Sequence, residues 1–366
     1  MTSATALISG AGIAGPTLAF WLARRGWQVT LVERAQGLRS SGNPVDIRGP
    51  AVPVARQMGI LPRLREAATH ATAMRVVDVA GRRIARIPMP AAKGDEVEVP
   101  RGDLATILFA AVREDAELLL DDTVTAVRQD AGGVDVTFEH AAPRRFDVLI
   151  GSDGLHSTVR RLVFGPETRF VEPLGLYVAT MPLGGPADHG DEVLLCNTPG
   201  RLVSIHPASG DAMAAFIFRS PPVPGRRDPG EQRAAVISAY AEMGWRVPDL
   251  LDRLRVTDDF YFDAVCRVRV PSWHQGRAAL LGDAASCVSL LGDGSSLAVA
   301  GAHTLATALA DEPHRPALAY RRYEARHRRL VRPKQRNIKR AAGLLIPATR
   351  PGLLARNAVA RLVSRA

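Results

Sequence analysis

Residues 5–33, TALISGAGIAGPTLAFWLARRGWQVTLVE, decide the fold. The run 5–9 is short, apolar and followed by glycines, as a buried parallel strand would be. Residues 16–25 repeat apolar side chains at helical spacing and stop at Gly26, a natural helix C-cap. A second apolar strand, 28–33, follows. Strand, glycine turn, helix and strand within about 30 residues make one βαβ unit. Its turn, Gly10-Ala-Gly12-Ile-Ala14-Gly15, matches G-x-G-x-x-G. The first glycine permits the tight turn, the second lets the backbone approach a pyrophosphate, and the third lets helix pack on strand. The helix N-terminus then offers unpaired N–H groups to phosphate. Glu33 closes the second strand, where a carboxylate can accept ribose hydroxyls and would repel a 2′-phosphate. The unit reads as a dinucleotide site. The hexamer alone does not separate FAD from NAD.

Outward from this unit, residues 50–70 read as helix and 74–79 with 84–88 as a hairpin over Ala80-Gly81. Residues 104–113 read as helix, 123–128 with 134–138 as a second hairpin, and 146–150 as a buried strand ending at a glycine. From 170 to 219 the pattern becomes strands separated by Pro and Gly, which predicts a largely antiparallel sheet. Helix is expected over 231–243, 295–309, 317–340 and 352–363, and strand over 259–270 and 278–281.

The composition bounds the function. Hydrophobic residues are 46% and charged residues 23% of 366, ordinary for a folded chain of two domains or one large one. No window holds 18 uninterrupted apolar residues, so no transmembrane helix is expected, and the N-terminus lacks the shape of a signal peptide. Cys196, Cys266 and Cys287 are sparse and odd in number, unlike a disulfide framework or a zinc site. A cytoplasmic location follows as the expectation, with no metal. The net charge of +10 is concentrated: residues 320–340 carry ten Lys or Arg against Glu324 alone. Tyr320 and Tyr323 are its only aromatics, poor material for stacking bases, so a solvated helix face is expected and nucleic acid is not. Ser204 with His206, and Ser152, Asp153 and His156, are hydrolase residue types without G-x-S-x-G. His303 and His314 have no metal-ligand partners at useful spacing.

Two later segments resolve the cofactor. Residues 147–160, DVLIGSDGLHSTVR, resemble the "DG" signature of flavoprotein monooxygenases, and 279–285, ALLGDAA, their "GD" signature. Residues 100–104, PRGDL, resemble the helix start whose arginine meets the cofactor. With the glycine fingerprint they fall in the order of the class A FAD-dependent monooxygenases, the para-hydroxybenzoate hydroxylase superfamily. Residues 40–49 (SSGNPVDIRG) and 194–197 (LLCN) further resemble tetracycline-inactivating monooxygenases and aromatic hydroxylases of antibiotic pathways. The sequence departs from that pattern after Asp283: it has no proline, and Asp293 stands between Gly292 and Gly294.

The resemblance implies an α/β fold. A Rossmann-like FAD-binding domain would comprise 1–72, 98–168 and 266–318, a β-sheet substrate domain 73–97 and 169–265, and a C-terminal helical segment 319–366. It implies that FAD contacts fall to Gly10, Gly12, Ala14, Gly15, Glu33, Arg34, Asp46, Arg101, Asp153, Gly282, Asp283, Gly292 and Gly294, with Arg39 meeting NADPH or a solvated loop arginine. It implies oxygenation of an aromatic or polyketide-like small molecule with NAD(P)H and O₂ through a flavin C4a-hydroperoxide. The hard chemistry then belongs to the cofactor, and no protein nucleophile is nominated. His206, Arg219 and Asn197 are substrate candidates by strand alternation. The chain is expected to act as a monomer or weak homodimer. An FAD-dependent dehydrogenase or reductase without oxygen transfer is the alternative enzyme. A basic nucleic-acid or membrane-surface protein is the alternative from another class. At Asp293 two readings stand open: a carboxylate that lowers the flavin potential, or a helix cap.

Overall fold

A computed structural model describes residues 3–37, 44–89, 94–207, 211–223, 228–287 and 292–364. The βαβ unit forms as read: strands Thr5–Ser9 and Gln28–Glu33 lie parallel, joined by the helix Ala14–Ala23. They sit in a six-stranded sheet. Its order is His274–Gln275, Ala278–Leu280, Val148–Gly151, Thr5–Ser9, Gln28–Glu33, Glu117–Leu120. Every neighbouring pair is parallel except the first. The central strands are apolar on both faces because helices, among them Ala14–Ala23 and Asp293–Asp311, cover them. Glu117–Leu120 was not foreseen in the sequence reading.

The chain leaves this sheet twice to build a second one. Seven strands run in the order Tyr261–Val268, Val171–Pro182, Met213–Arg219, Arg201–His206, Glu192–Thr198, Ala73–Val77, Arg83–Pro88. All pairs are antiparallel but one: Ala73–Val77 runs parallel to Glu192–Thr198. One face is apolar (Tyr177, Leu194, Val203, Phe216, Phe218, Phe262) and is covered by helices Pro229–Tyr240 and Val247–Val256. The second of these helices is a correction to the sequence reading, which ended helix at 243.

Two further expectations shift. Residues 50–70 form two helices, Ala51–Gln57 and Leu61–Glu66, because Gly59 adopts φ +74° between them. The basic segment is part of a longer helix, Pro316–Leu345, whose inner stripe (Tyr320, Tyr323, His327, Val331, Ile338) is buried. Gly301 lets it approach Asp293–Asp311, since a Cβ there would stand 2.9 Å from the His327 ring. The expected solvated face is real at Arg326 and Arg329, which are exposed. Arg328 is different. It is half-buried, ion-paired to Glu324, bonded to the Val270 and Pro271 carbonyls, and lies 4.5 Å over the Trp273 ring.

Candidate active site

The glycine turn divides into closed and open positions. A Cβ on Gly10 would stand 2.7 Å from the Ser152 carbonyl, and one on Gly15 only 1.9 Å from the Gly10 carbonyl. A Cβ on Gly12 would meet nothing within 4 Å. The protein's own packing therefore dictates the outer glycines, while the middle one leaves bare backbone beside open space, as a pyrophosphate needs. Glu33 steadies the turn, taking the Ala11 N–H (2.8 Å) and the Ala35 N–H (3.0 Å). A carboxylate has about four acceptor sites, so these two bonds leave room for ribose hydroxyls. Ala14 packs its methyl at Gly282, where a Cβ would approach it to 3.1 Å. Arg34 is exposed, and Arg39 lies outside the described residues.

The two later motifs meet at this turn. The Ser152 hydroxyl reaches the carbonyls of Ser9 (2.9 Å) and Gly10 (3.0 Å), and the Leu281 N–H donates to the Gly151 carbonyl (2.9 Å). Asp153 accepts from the Ser157 hydroxyl and the Val159 N–H (3.0 Å), just ahead of the helical turn Arg160–Phe164. Arg160, fully buried, donates to the carbonyls of Ala284 (3.0 Å) and Leu155 (2.6 Å). It stitches the DG segment to the GD segment, a role the sequence reading missed although the residue stands in the quoted motif.

Asp283 opens a short helix behind Gly282, which holds φ +62°. Burial pushes its carboxyl up from the ordinary range, and the positive charge of Arg101 opposes the shift. A Cβ on Gly294 would come within 3.9 Å of the Asp283 carboxylate, so Arg101, Asp283 and the Gly292–Gly294 turn converge. Asp46 joins this region from the other side: a Cβ on Gly292 would strike its carboxylate at 2.6 Å.

The structure gives Asp293 ion-pair partners that neither expectation named. It stands in the first turn of the helix Asp293–Asp311, whose N-cap is Gly292. Its carboxylate is buried and held by Arg48 (2.8 and 3.1 Å) and by Lys334 of the long basic helix (2.9 Å), while Arg48 also pairs with Asp46 (3.2 Å). The charge between the glycines is thus answered by two cations.

On the second sheet, Tyr261, Thr180, Ala215 and Ser204 stand opposite one another in one row across four strands. They alternate with the apolar positions under the two covering helices, so they share the opposite face. The short helix Asp283–Ser286 packs against the strand Tyr261–Val268 that carries Tyr261, which brings this sheet to the GD region. The Ser204 hydroxyl is 2.9 Å from His206 Nε2. Burial depresses the His206 ring to about 4, so it is neutral near pH 7. Thr180 and Tyr261 escaped the sequence reading, though strand alternation from Ser204 would have found them. Nearby, His156 bridges Glu167 (3.0 Å) and Asp263 (3.2 Å), and these carboxylates, Asp263 first, raise its pKa.

Asn197 and Arg219 are engaged elsewhere. Arg219 donates to the Ile346 carbonyl (3.1 and 3.2 Å). Asn197 donates to the Leu345 carbonyl (3.1 Å) and accepts from Arg356 (2.6 Å). Their polar groups hold the C-terminal segment to the sheet. The three cysteines are buried and none forms a disulfide, and no group of His, Cys, Asp or Glu among the described residues is arranged to hold a metal. No described helix is long and apolar enough to cross a membrane.

An open middle glycine, a glutamate at the end of the second strand and an Asp283 carboxylate within electrostatic reach of Arg101 define a dinucleotide-binding flavoprotein. The chain belongs to the FAD binding domain family, whose model matches residues 3–333. It is a class A FAD-dependent monooxygenase, an oxidoreductase that uses FAD, with NAD(P)H the usual donor of the family. It is 37% identical to a flavin-dependent monooxygenase of an unknown prokaryotic organism over 82% of this chain and 79% of the relative. A flavin-dependent monooxygenase of Legionella longbeachae is 34% identical over 90% and 86%. The crystal structure of the tetracycline destructase Tet(51) matches with a TM-score of 0.86 and 30% identity, covering 100% of this chain and 97% of that one.

Proposed function

We propose that the enzyme oxygenates an aromatic or polyketide-like small molecule held between the Arg101–Asp283 region and the row Tyr261, Thr180, Ala215, Ser204. One observation carries this reading: on that face the Thr180 hydroxyl and His206 Nδ1 are buried with no partner among the described residues. Unpaired buried polar atoms in an otherwise apolar wall are what a site offers to a few phenol or carbonyl groups of a flat ligand. The likeness to a tetracycline destructase supports the same substrate class.

FAD, reduced by NADPH or NADH, supplies the activation of O₂. The chain does the rest. The glycine turn and Glu33 hold the dinucleotide end, and Asp283, Arg101, Asp46 and the Gly292–Gly294 turn hold the flavin end. The second sheet keeps water out and orients the substrate, with neutral His206 fixed by Ser204. We assign 1–72, 98–168 and 266–318 to FAD and 73–97 with 169–265 to the substrate, in a monomer or weak homodimer. Three cysteines without a disulfide fit a reducing compartment, the cytoplasm.

The test is turnover under ¹⁸O₂ with NADPH or NADH and a panel of phenolic and polycyclic polyketide substrates. One ¹⁸O atom in product is expected, with product formation lost in Thr180→Val and His206→Phe while flavin stays bound. Donor oxidation that yields only hydrogen peroxide with every substrate, or electron transfer unaffected by removing O₂, would refute oxygenation and favour a dehydrogenase.

A further inference from the structure

The long basic helix carries more charge than the active site uses. Lys334 is spent on Asp293 and Lys339 on Glu172. Arg328, Arg332 and Arg336 recur every four residues and so share one helix face, spaced about 6 Å per step. They line a surface cavity of about 340 Å³, with Arg269 entering from the strand side and Trp273 and Ser286 in its wall. That size suits a small ligand.

The cavity is held in shape. Gln335 donates to the Val268 carbonyl (2.7 Å), and Arg328 is fixed by two carbonyls and Glu324. The other arginines are not neutralised. Arg269, Arg332 and Arg336 are exposed, and among the described residues their guanidinium groups have no ion pair or hydrogen bond. The neighbouring acids are already taken. Glu324 holds Arg328 and the Trp273 N–H, Glu172 holds Arg267 and Lys339, and Asp293 holds Arg48 and Lys334. Like charges gathered without a counter-charge repel one another, and a ligand anion relieves that repulsion. Guanidinium forks match phosphate oxygens two at a time.

We propose that this cavity binds a small phosphate-bearing anion of two or more charges, from either a free phosphate metabolite or the pyrophosphate of the nicotinamide donor.

The experiment is calorimetric titration of the flavin-loaded protein with inorganic pyrophosphate at low salt, which reads binding whether or not the oxygenation reading holds. Wild type is compared with R332Q/R336Q and with R326Q/R329Q, which removes the same charge from exposed positions outside the cavity. One saturable site is expected in wild type. It should weaken about 100-fold in R332Q/R336Q, as for two lost charge-assisted bonds, and less than about threefold in R326Q/R329Q. A higher KM for NADPH at unchanged kcat in R332Q/R336Q assigns the site to the donor. An unchanged KM assigns it to a free phosphate metabolite. No saturable binding by wild type, or equal weakening in both variants, overturns the proposal.

Discussion

Asp293→Asn and Lys334→Met, made singly and together, test the charge arrangement at the Gly292–Gly294 turn. Asp293 is 6% exposed and contacts two cations, at 2.8 Å from Arg48 and 2.9 Å from Lys334. Stripping one partner from a fully buried pair costs about 3–5 kcal/mol. Here the cations keep 38% and 45% of their side chains in water, so solvent recovers part of that loss. We expect Asp293→Asn to cost about 2–3 kcal/mol and Lys334→Met about 1 kcal/mol, with the double variant costing less than their sum. The second readout is the flavin potential. Removing the carboxylate uncovers positive charge near the reducing flavin and should raise the potential; removing Lys334 leaves the carboxylate less compensated and should lower it. A screened unit charge worth about 1 kcal/mol moves a two-electron couple about 20 mV. Potentiometric and thermal titrations of the four proteins read both quantities. Shifts of the same sign in the single variants, or additive stabilities, would refute the compensated-charge account.

Other outcomes are equally specific. Gly12→Ala should leave the apoprotein's Tm within about 1 °C, because its Cβ meets nothing, yet weaken FAD binding; Gly15→Ala should destabilise the apoprotein itself, and a reversed order contradicts the division of the turn. Asp283→Ala should raise the FAD dissociation constant about 10- to 150-fold, the worth of one charge-assisted bond, read by flavin fluorescence on apoprotein. His156 has a folded pKa above its unfolded value through Asp263 and Glu167. Its stabilisation is therefore full below about pH 6.5 and lost as pH rises through the folded pKa. Tm measured from pH 5.5 to 9 should show that loss in wild type and not in His156→Gln.

The nucleotide unit was legible because its signals are local: a 2-to-3.6 change of period, glycines at fixed offsets, an acid at a strand end. The DG and GD segments were legible as a resemblance, and their contact through Arg160 follows only from the fold. Glu117–Leu120 escaped because four residues carry too little pattern. Val45–Ile47 and Val97–Val99 escaped for the same reason, since each is only three residues long and exists through the other. The break at Gly59 was misread because one glycine inside helical spacing is often tolerated. Asn197 and Arg219 were nominated by alternation, which gives the face of a strand but not what covers it. Here the C-terminal segment does. Nothing in the local sequence of Asp293 announces Lys334.

The parallel pairing of Ala73–Val77 with Glu192–Thr198 and the seating of Ala278–Leu280 beside Val148–Gly151 set the order in which the chain can be completed during synthesis. The first hairpin of the second sheet must wait for more than a hundred residues to emerge before its parallel neighbour exists. The first sheet in turn lacks an edge until the chain has made the whole second sheet and returned. The second sheet is therefore complete before the first one gains its last two strands. Such long-range closure slows folding and leaves strand edges open on the ribosome, so expression at lower temperature should raise the soluble yield. It also means that a truncation at 72, 97, 168 or 265 would leave at least one of the two sheets short of a strand.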